Sequence, residues 1–286
     1  DGGRTWKVVP GAKLPGDGGG AKGILKSGRW LVVEVKVDQE WKEGEITPMG
    51  DVGGYPTFKQ EGGVFGTHMI VWRSDDEGKT WKPSEPYRGP FKWASPSVSH
   101  FIESSNGVVC LPIFGTVTDQ EMSSYSASNG IMRSHDGGES WMTTDLIDTS
   151  PLHSPYVDCC GSMVQAPDGD ILLPFAAWLE EGIAYGWNMC GCYVASSDHG
   201  ETWGKSVVVA TGEDDRGQWY NETAVLPRED QPWIAMVRMN PKFRIGKPSG
   251  HGMLGGYRCF SHDQGRTWTA PEPVSHTVAY PVLKEL

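Results

Sequence analysis

At 286 residues and a formal net charge of -11, the chain is about twice the usual domain length, yet a single all-β barrel or propeller reaches this size. Its 38 glycines, 20 prolines and 13 tryptophans point to many turns between short strands with large aromatic anchors, and away from long helices. The acidic balance without a run of Lys or Arg argues against nucleic acid or an anionic membrane surface as partner, and no apolar stretch approaches the ~20 residues of a membrane helix.

The chain begins inside a repeat. Asp1 to Trp6 reads DGGRTW, and the full octapeptide follows as SDDEGKTW from Ser74, SHDGGESW from Ser134, SSDHGETW from Ser196 and SHDQGRTW from Ser261. The aspartates Asp1, Asp76, Asp136, Asp198 and Asp263 recur at intervals of 60 to 75 residues, longer than the ~40 to 50 of common propeller blades, so insertions are expected in the loops. Each position in the motif has a physical role. The aspartate accepts hydrogen bonds from its own turn, the glycine takes a positive φ, the Ser or Thr hydroxyl closes a local bond, and tryptophan anchors the whole. Unrelated hairpin turns would not keep the tryptophan in register.

Between the octapeptides a second pattern repeats. In the second repeat, Pro96 to Ile102 and Val108 to Phe114 flank a turn at Asn106-Gly107; in the third, Gly161 to Ala166 and Ile171 to Ala177 flank Pro167 to Asp170. The fourth offers Thr223 to Leu226 and Trp233 to Val237 around Glu229 to Gln231. These read as hairpins. A third strand enters the octapeptide, as in Met189 to Ala195 and Met253 to Phe260, and a fourth leaves it, as in Ser206 to Ala210. Four antiparallel strands per repeat make a propeller blade. The expected division is one all-β domain over 1–286, with blades at approximately 16–90, 91–150, 151–212 and 213–275 between partial blades 1–15 and 276–286. An open arc would expose strand edges, so further material is expected to complete the ring.

The six cysteines, Cys110, Cys159, Cys160, Cys190, Cys192 and Cys259, contain no Cys-x-x-Cys pair. Cys190 and Cys192 share one face of a strand, whereas Cys159 and Cys160 point to opposite faces, so neither pair matches a zinc or redox motif. Buried free thiols are the expectation, with a disulfide between neighbouring strands left open. No His or carboxylate spacing suggests a metal site, and no cofactor is implied.

The repeated octapeptide resembles the Asp box of the sialidase-like superfamily, six-bladed propellers with boxes between the third and fourth strands of several blades. That resemblance covers nearly the whole chain and implies a glycan partner and a secreted or periplasmic location. It also implies that the boxes lie opposite the active site. Candidates then fall in the loops at 16–23, 34–64, 88–97, 115–128, 151–160, 176–188, 213–222, 238–252 and 274–281. The sharpest match is WYNETAVL at Trp219 to Leu226 followed by WIAMVRMN at Trp233 to Asn240. By resemblance Glu222 activates a nucleophile and Arg238 holds a sugar carboxylate; a bidentate guanidinium suits that ligand.

The Arg-Ile-Pro segment of the family is missing, and Lys22 is the nearest equivalent, a point charge without the fork. Asp51, ahead of Asp38, is the expected acid in the long early loop, and Tyr280 is the remaining tyrosine candidate. Loop position adds Trp93, Trp178, His153, Asp158 and Arg244 as sugar contacts, with Trp219, Tyr125, Tyr185, Trp187 and His251 behind them; flat aromatic faces stack on sugars but also pack between blades. The leading expectation is an exo-acting sialidase-like glycoside hydrolase on an acidic terminal sugar. The alternatives are a non-catalytic glycan-binding propeller, and a related exo-arabinanase or polysaccharide lyase.

Overall fold

A computed structural model describes residues 8–16, 21–37, 46–52, 55–60, 67–87, 89, 93–96, 101–116, 127–143, 146–152, 162–179, 189–212, 219–240, 255–277 and 283. Among these residues there is no helix, and therefore none long and apolar enough to cross a membrane. The strands form four antiparallel sheets in chain order. The first contains β1 (Lys22–Ile24), β2 (Trp30–Val37), β5 (Thr67–Ser74) and β6 (Lys82–Pro83), with a separate hairpin of β3 (Ile46–Val52) and β4 (Tyr55–Gln60) inserted between its second and third strands. The second contains β7 (Trp93–Pro96), β8 (Ile102–Glu103), β9 (Val109–Thr116), β10 (Ala127–Ser134) and β11 (Met142–Thr143). The third runs through β12 (Val164–Gln165), β13 (Ile171–Trp178), β14 (Met189–Ser196) and β15 (Val207–Thr211), the fourth through β16 (Trp219–Leu226), β17 (Trp233–Asn240), β18 (Gly255–Ser261) and β19 (Glu272–Thr277).

Alternation along the second strands explains the stacking, because successive side chains serve opposite neighbours. Leu31 and Val33 meet Val109, Leu111 and Ile113 between the first two sheets. Cys110 and Ile131 meet Ile171, Leu173 and Phe175 between the second and third, and Leu172 and Tyr193 meet Trp233, Ala235 and Val237 between the third and fourth. Interfaces of this kind between stacked sheets are the core of a propeller.

Several strand boundaries depart from the sequence expectation in one direction, while the strand expected at 161–166 is confined to Val164–Gln165. Strands run two to four residues into the segments expected as loops, so Glu34, Trp93, Trp178, Glu222 and Arg238 all lie on strands. The long loop at 34–64 contains the β3–β4 hairpin. Of the strand expected at 96–102, Pro96 pairs with Ile113 and Ile102 with Cys110, and residues 97–100 lie outside the described residues.

Each of the four complete boxes joins the third and fourth strands of its sheet and repeats one hydrogen-bond set. In the first, the Ser74 hydroxyl donates to Asp76 Oδ1 (2.7 Å) and accepts from the Gly78 amide (2.8 Å), while the Thr80 amide and hydroxyl donate to the two Asp76 oxygens (2.8 and 2.6 Å). The Thr80 hydroxyl and amide hold the Asp76 carboxyl at about 2, and Thr267 does the same for Asp263. At Asp136 and Asp198 burial opposes ionisation but the bonds from Ser140 and Thr202 prevail, again giving about 2. Sequence suggested one left-handed residue per box. There are two, since Glu77, His199 and Gln264 precede their glycines at φ of 59°, 61° and 59°, and Gly137 takes that place in the second box.

The boxes also tie each sheet to the one before it. Arg29 donates through Nη1 to the Gly137 carbonyl (3.0 Å), Arg133 pairs with Glu201 (2.8 Å), and Tyr193 Oη donates to the Gly265 carbonyl (2.6 Å). A Cβ on Gly138 would fall 2.8 Å from Leu31 Cδ2 of the preceding sheet, so the glycine is required for close approach as well as for its φ of 92°. The described cysteines, Cys110, Cys190, Cys192 and Cys259, are buried thiols outside any disulfide, as expected; burial pushes the thiols of Cys110 and Cys259 up to about 12. Cys159 and Cys160 lie outside the described residues.

Candidate functional site

The β-branched and aromatic residues of WYNETAVL favour a strand, and β16 pairs antiparallel with β17 throughout. The register runs Trp219 to Asn240 and Tyr220 to Met239, then resumes at Thr223 to Val237. Asn221 and Glu222 therefore stand together against Arg238, a β-bulge of the kind that re-aims side chains beside functional sites. The Thr223 hydroxyl donates to the Asn221 carbonyl at 2.7 Å, satisfying a backbone group that the ladder abandons.

The neighbouring sheet leaves room for this bulge. On β14 the sequence Cys190-Gly191-Cys192 brings a glycine against it, and a Cβ there would collide with Thr223 Oγ1, sit 3.0 Å from Val237 Cγ1 and 3.3 Å from the Asn221 carbonyl. Gly191 thus serves as clearance for the strand that carries Glu222.

Across the bulge, Arg238 Nη1 donates to Glu222 Oε1 in an ion pair. The Glu222 side chain is 4% exposed and that of Arg238 17%, so both charges lie largely out of water and each offsets the other's desolvation. Beside them Asn221 is 8% exposed, and its Oδ1 is buried without a hydrogen-bond partner among the described residues. β17 starts at Trp233, opposite Ser261 of the box, and Arg238 lies five residues further on, about 17 Å at ~3.4 Å per residue. The pair and the box therefore occupy opposite ends of the fourth sheet.

A second buried carboxylate, overlooked in the sequence, lies on the first sheet. Glu34 on β2 is 6% exposed, accepts from Trp72 Nε1 at 2.9 Å and pairs with Lys36 Nζ at 2.5 Å. The signal lies in the β2 sequence WLVVEVKV, a carboxylate within an apolar run, at the start of the segment that the sequence assigns to the 34–64 loop.

Of the expected site residues, the structure brings Glu222 and Arg238 together. Lys22 lies exposed on β1 of the first sheet, opposite Val32. Asp51 belongs to β3, in register with Pro56, and not to an open loop. Trp93 begins β7 and Trp178 ends β13. His153, Asp158, Arg244 and Tyr280 lie outside the described residues, as do Asp38, Tyr125, Tyr185, Trp187 and His251. Trp219 opens β16. Among the described residues no group of three or more His, Cys, Asp or Glu side chains is arranged to hold a metal ion.

With this geometry in place, comparison with known proteins gives one family and a set of folds. A family model for the BNR/Asp-box repeat matches residues 72–83, the first complete box and its flanks. A search of curated proteins finds no match. Among solved structures, a protein of unknown function from Dyadobacter fermentans is 19% identical with a TM-score of 0.56, covering 88% of this chain and 67% of its own. The Hadza microbial sialidase Hz136 is 16% identical with a TM-score of 0.51, over 90% of this chain and 46% of that one. An alpha-L-arabinanase from Penicillium chrysogenum, complexed with arabinobiose, is 13% identical with a TM-score of 0.52, over 89% of this chain and 65% of that one. At these identities the likeness is one of fold, and this chain spans about half the length of the sialidase.

Proposed function

We propose that this chain, an Asp-box β-propeller of the sialidase-like superfamily, belongs to a glycoside hydrolase that removes an acidic sugar from the end of a glycan. The observation that supports the reading most directly is the buried Arg238–Glu222 pair at the end of its sheet away from the box. A guanidinium has five donors in a fixed fork, so Arg238 can keep Glu222 through one edge while another engages a substrate carboxylate. Glu222, held beside that cation, is the proton acceptor or the group that activates a nucleophile, and a carboxylate there favours an oxocarbenium-like transition state. The strand ladder fixes the spacing of the two residues before any ligand arrives, which lowers the cost of assembling them during reaction.

The test is a panel of aryl glycosides, with sialosides, uronides and arabinofuranosides, assayed on the wild-type protein and on Glu222→Gln. Turnover of an acidic glycoside that falls by about 100-fold or more in Glu222→Gln supports the reading. Binding of acidic sugars with no turnover would instead identify a glycan-binding propeller, and turnover restricted to arabinofuranosides would move the chemistry to the related arabinan-degrading class. Unchanged turnover and binding in Glu222→Gln would remove Glu222 from the site.

A further inference from the structure

The bulge on β16 puts two side chains where a regular strand would put one, and the proposed chemistry uses only Glu222. Asn221 has the same register position opposite Arg238. The residue is more than nine-tenths buried, yet its Oδ1 has no hydrogen-bond partner among the described residues. Its backbone carbonyl, by contrast, is satisfied by the Thr223 hydroxyl.

A buried acceptor left without a donor is a standing cost to the folded protein. Valine or threonine would suit this buried strand better than asparagine. An unsatisfied amide beside a paired carboxylate and guanidinium is what a site looks like when the missing donor arrives with a ligand.

We propose that Asn221 is a substrate-contacting residue whose Oδ1 accepts a hydrogen bond from a hydroxyl or amide N–H of the sugar held at Glu222 and Arg238. The inference rests on the reading of that pair as a sugar site, and it adds a chemical requirement. The ligand must present a donor adjacent to the group that Arg238 binds. Hydroxyl-rich sugars meet this requirement, and an analogue lacking the donor is rejected because Asn221 stays unpaired.

Binding of N-acetylneuraminic acid, glucuronic acid and arabinobiose is measured by calorimetry on the wild-type protein, Asn221→Leu and Asn221→Asp, with melting temperatures recorded for each. Asn221→Leu is expected to bind the preferred sugar about tenfold more weakly or worse while melting at or above the wild-type temperature, since it removes an unpaired acceptor. Asn221→Asp, which keeps an acceptor in the same place, is expected to recover part of the lost affinity. A lower melting temperature with unchanged affinity in Asn221→Leu would make the residue structural and overturn the inference. If the wild-type protein prefers arabinobiose, the acidic-sugar reading fails, and Asn221 is judged by the same loss on that ligand. Binding of none of the three by the wild-type protein overturns both.

Discussion

Arg238 and Glu222 form an ion pair across a β-bulge, with 17% and 4% of their side chains exposed. Removing either charge alone withdraws this ion pair from a partner that stays largely buried. Arg238→Ala is therefore expected to destabilise the protein by about 3 kcal/mol, and Arg238→Ala combined with Glu222→Gln by clearly less than the sum of the singles. Chemical denaturation of the four species checks this, and additive losses would mean that the pair carries no coupling.

In activity the same arginine predicts selectivity. Arg238→Ala should lose binding or turnover of acidic sugars while retaining more of that for neutral ones, because only a carboxylate needs the guanidinium. Equal loss on a uronide and its neutral counterpart would dismiss the clamp.

Gly191→Ala should be destabilising by about 1 to 3 kcal/mol, because the added methyl collides with Thr223 Oγ1 and crowds Val237. Thr223→Ala in the same chain removes the atom struck and should restore part of the loss. Thermal melts of the single and double variants decide it, and no recovery in the double would place the strain elsewhere.

Gly28, in the turn between β1 and β2, and the box glycine Gly265 predict a contrast. Gly28 has a φ of 87° with nothing within 4 Å of an added Cβ, so Gly28→Ala carries only the left-handed backbone penalty, about 1 kcal/mol. Gly265 has a φ of 85°, and a methyl there would also collide with Tyr193 Oη and lie 2.6 Å from Trp233 Cζ3, disturbing the Tyr193 bond that joins the third and fourth sheets. Gly265→Ala should thus cost several times as much as Gly28→Ala. Comparable losses would show that the box does not need close approach between sheets.

Acid stability should follow the four box aspartates. Their folded-state values of about 2 lie below the ordinary 3.8, so their contribution is fully present above about pH 4 and is lost as pH falls towards 2. Replacing Asp263 by Asn should lower stability at neutral pH and flatten the fall between pH 4 and 2. A variant with the same pH slope as the wild type would contradict the assignment.

The recurrence of Ser, Asp, Gly and Trp at constant spacing was legible because each box is a local structure. Ser74, Asp76, Gly78 and Thr80 satisfy one another within seven residues, so the motif specifies its own turn wherever it occurs. Alternation in β2, β9, β13 and β17 was enough to indicate stacked sheets, since side chains two apart share a face. Glu222 and Arg238 were singled out by resemblance, one on each of two consecutive strands, but their ion pair was not anticipated, and the strands run further than the apolar pattern suggested.

What sequence could not contain is anything decided between segments remote along the chain. The bulge that sets Asn221 beside Glu222 depends on clearance at Gly191, 30 residues earlier and on another sheet. The burial of Glu34 depends on Trp72 and Lys36 approaching it from a paired strand and its own, and the second role of each box glycine depends on the sheet before it. Local hydrogen bonding and side-chain periodicity are written residue by residue, whereas register and close approach are settled only when two surfaces must fit, and the proposed site was made at that stage.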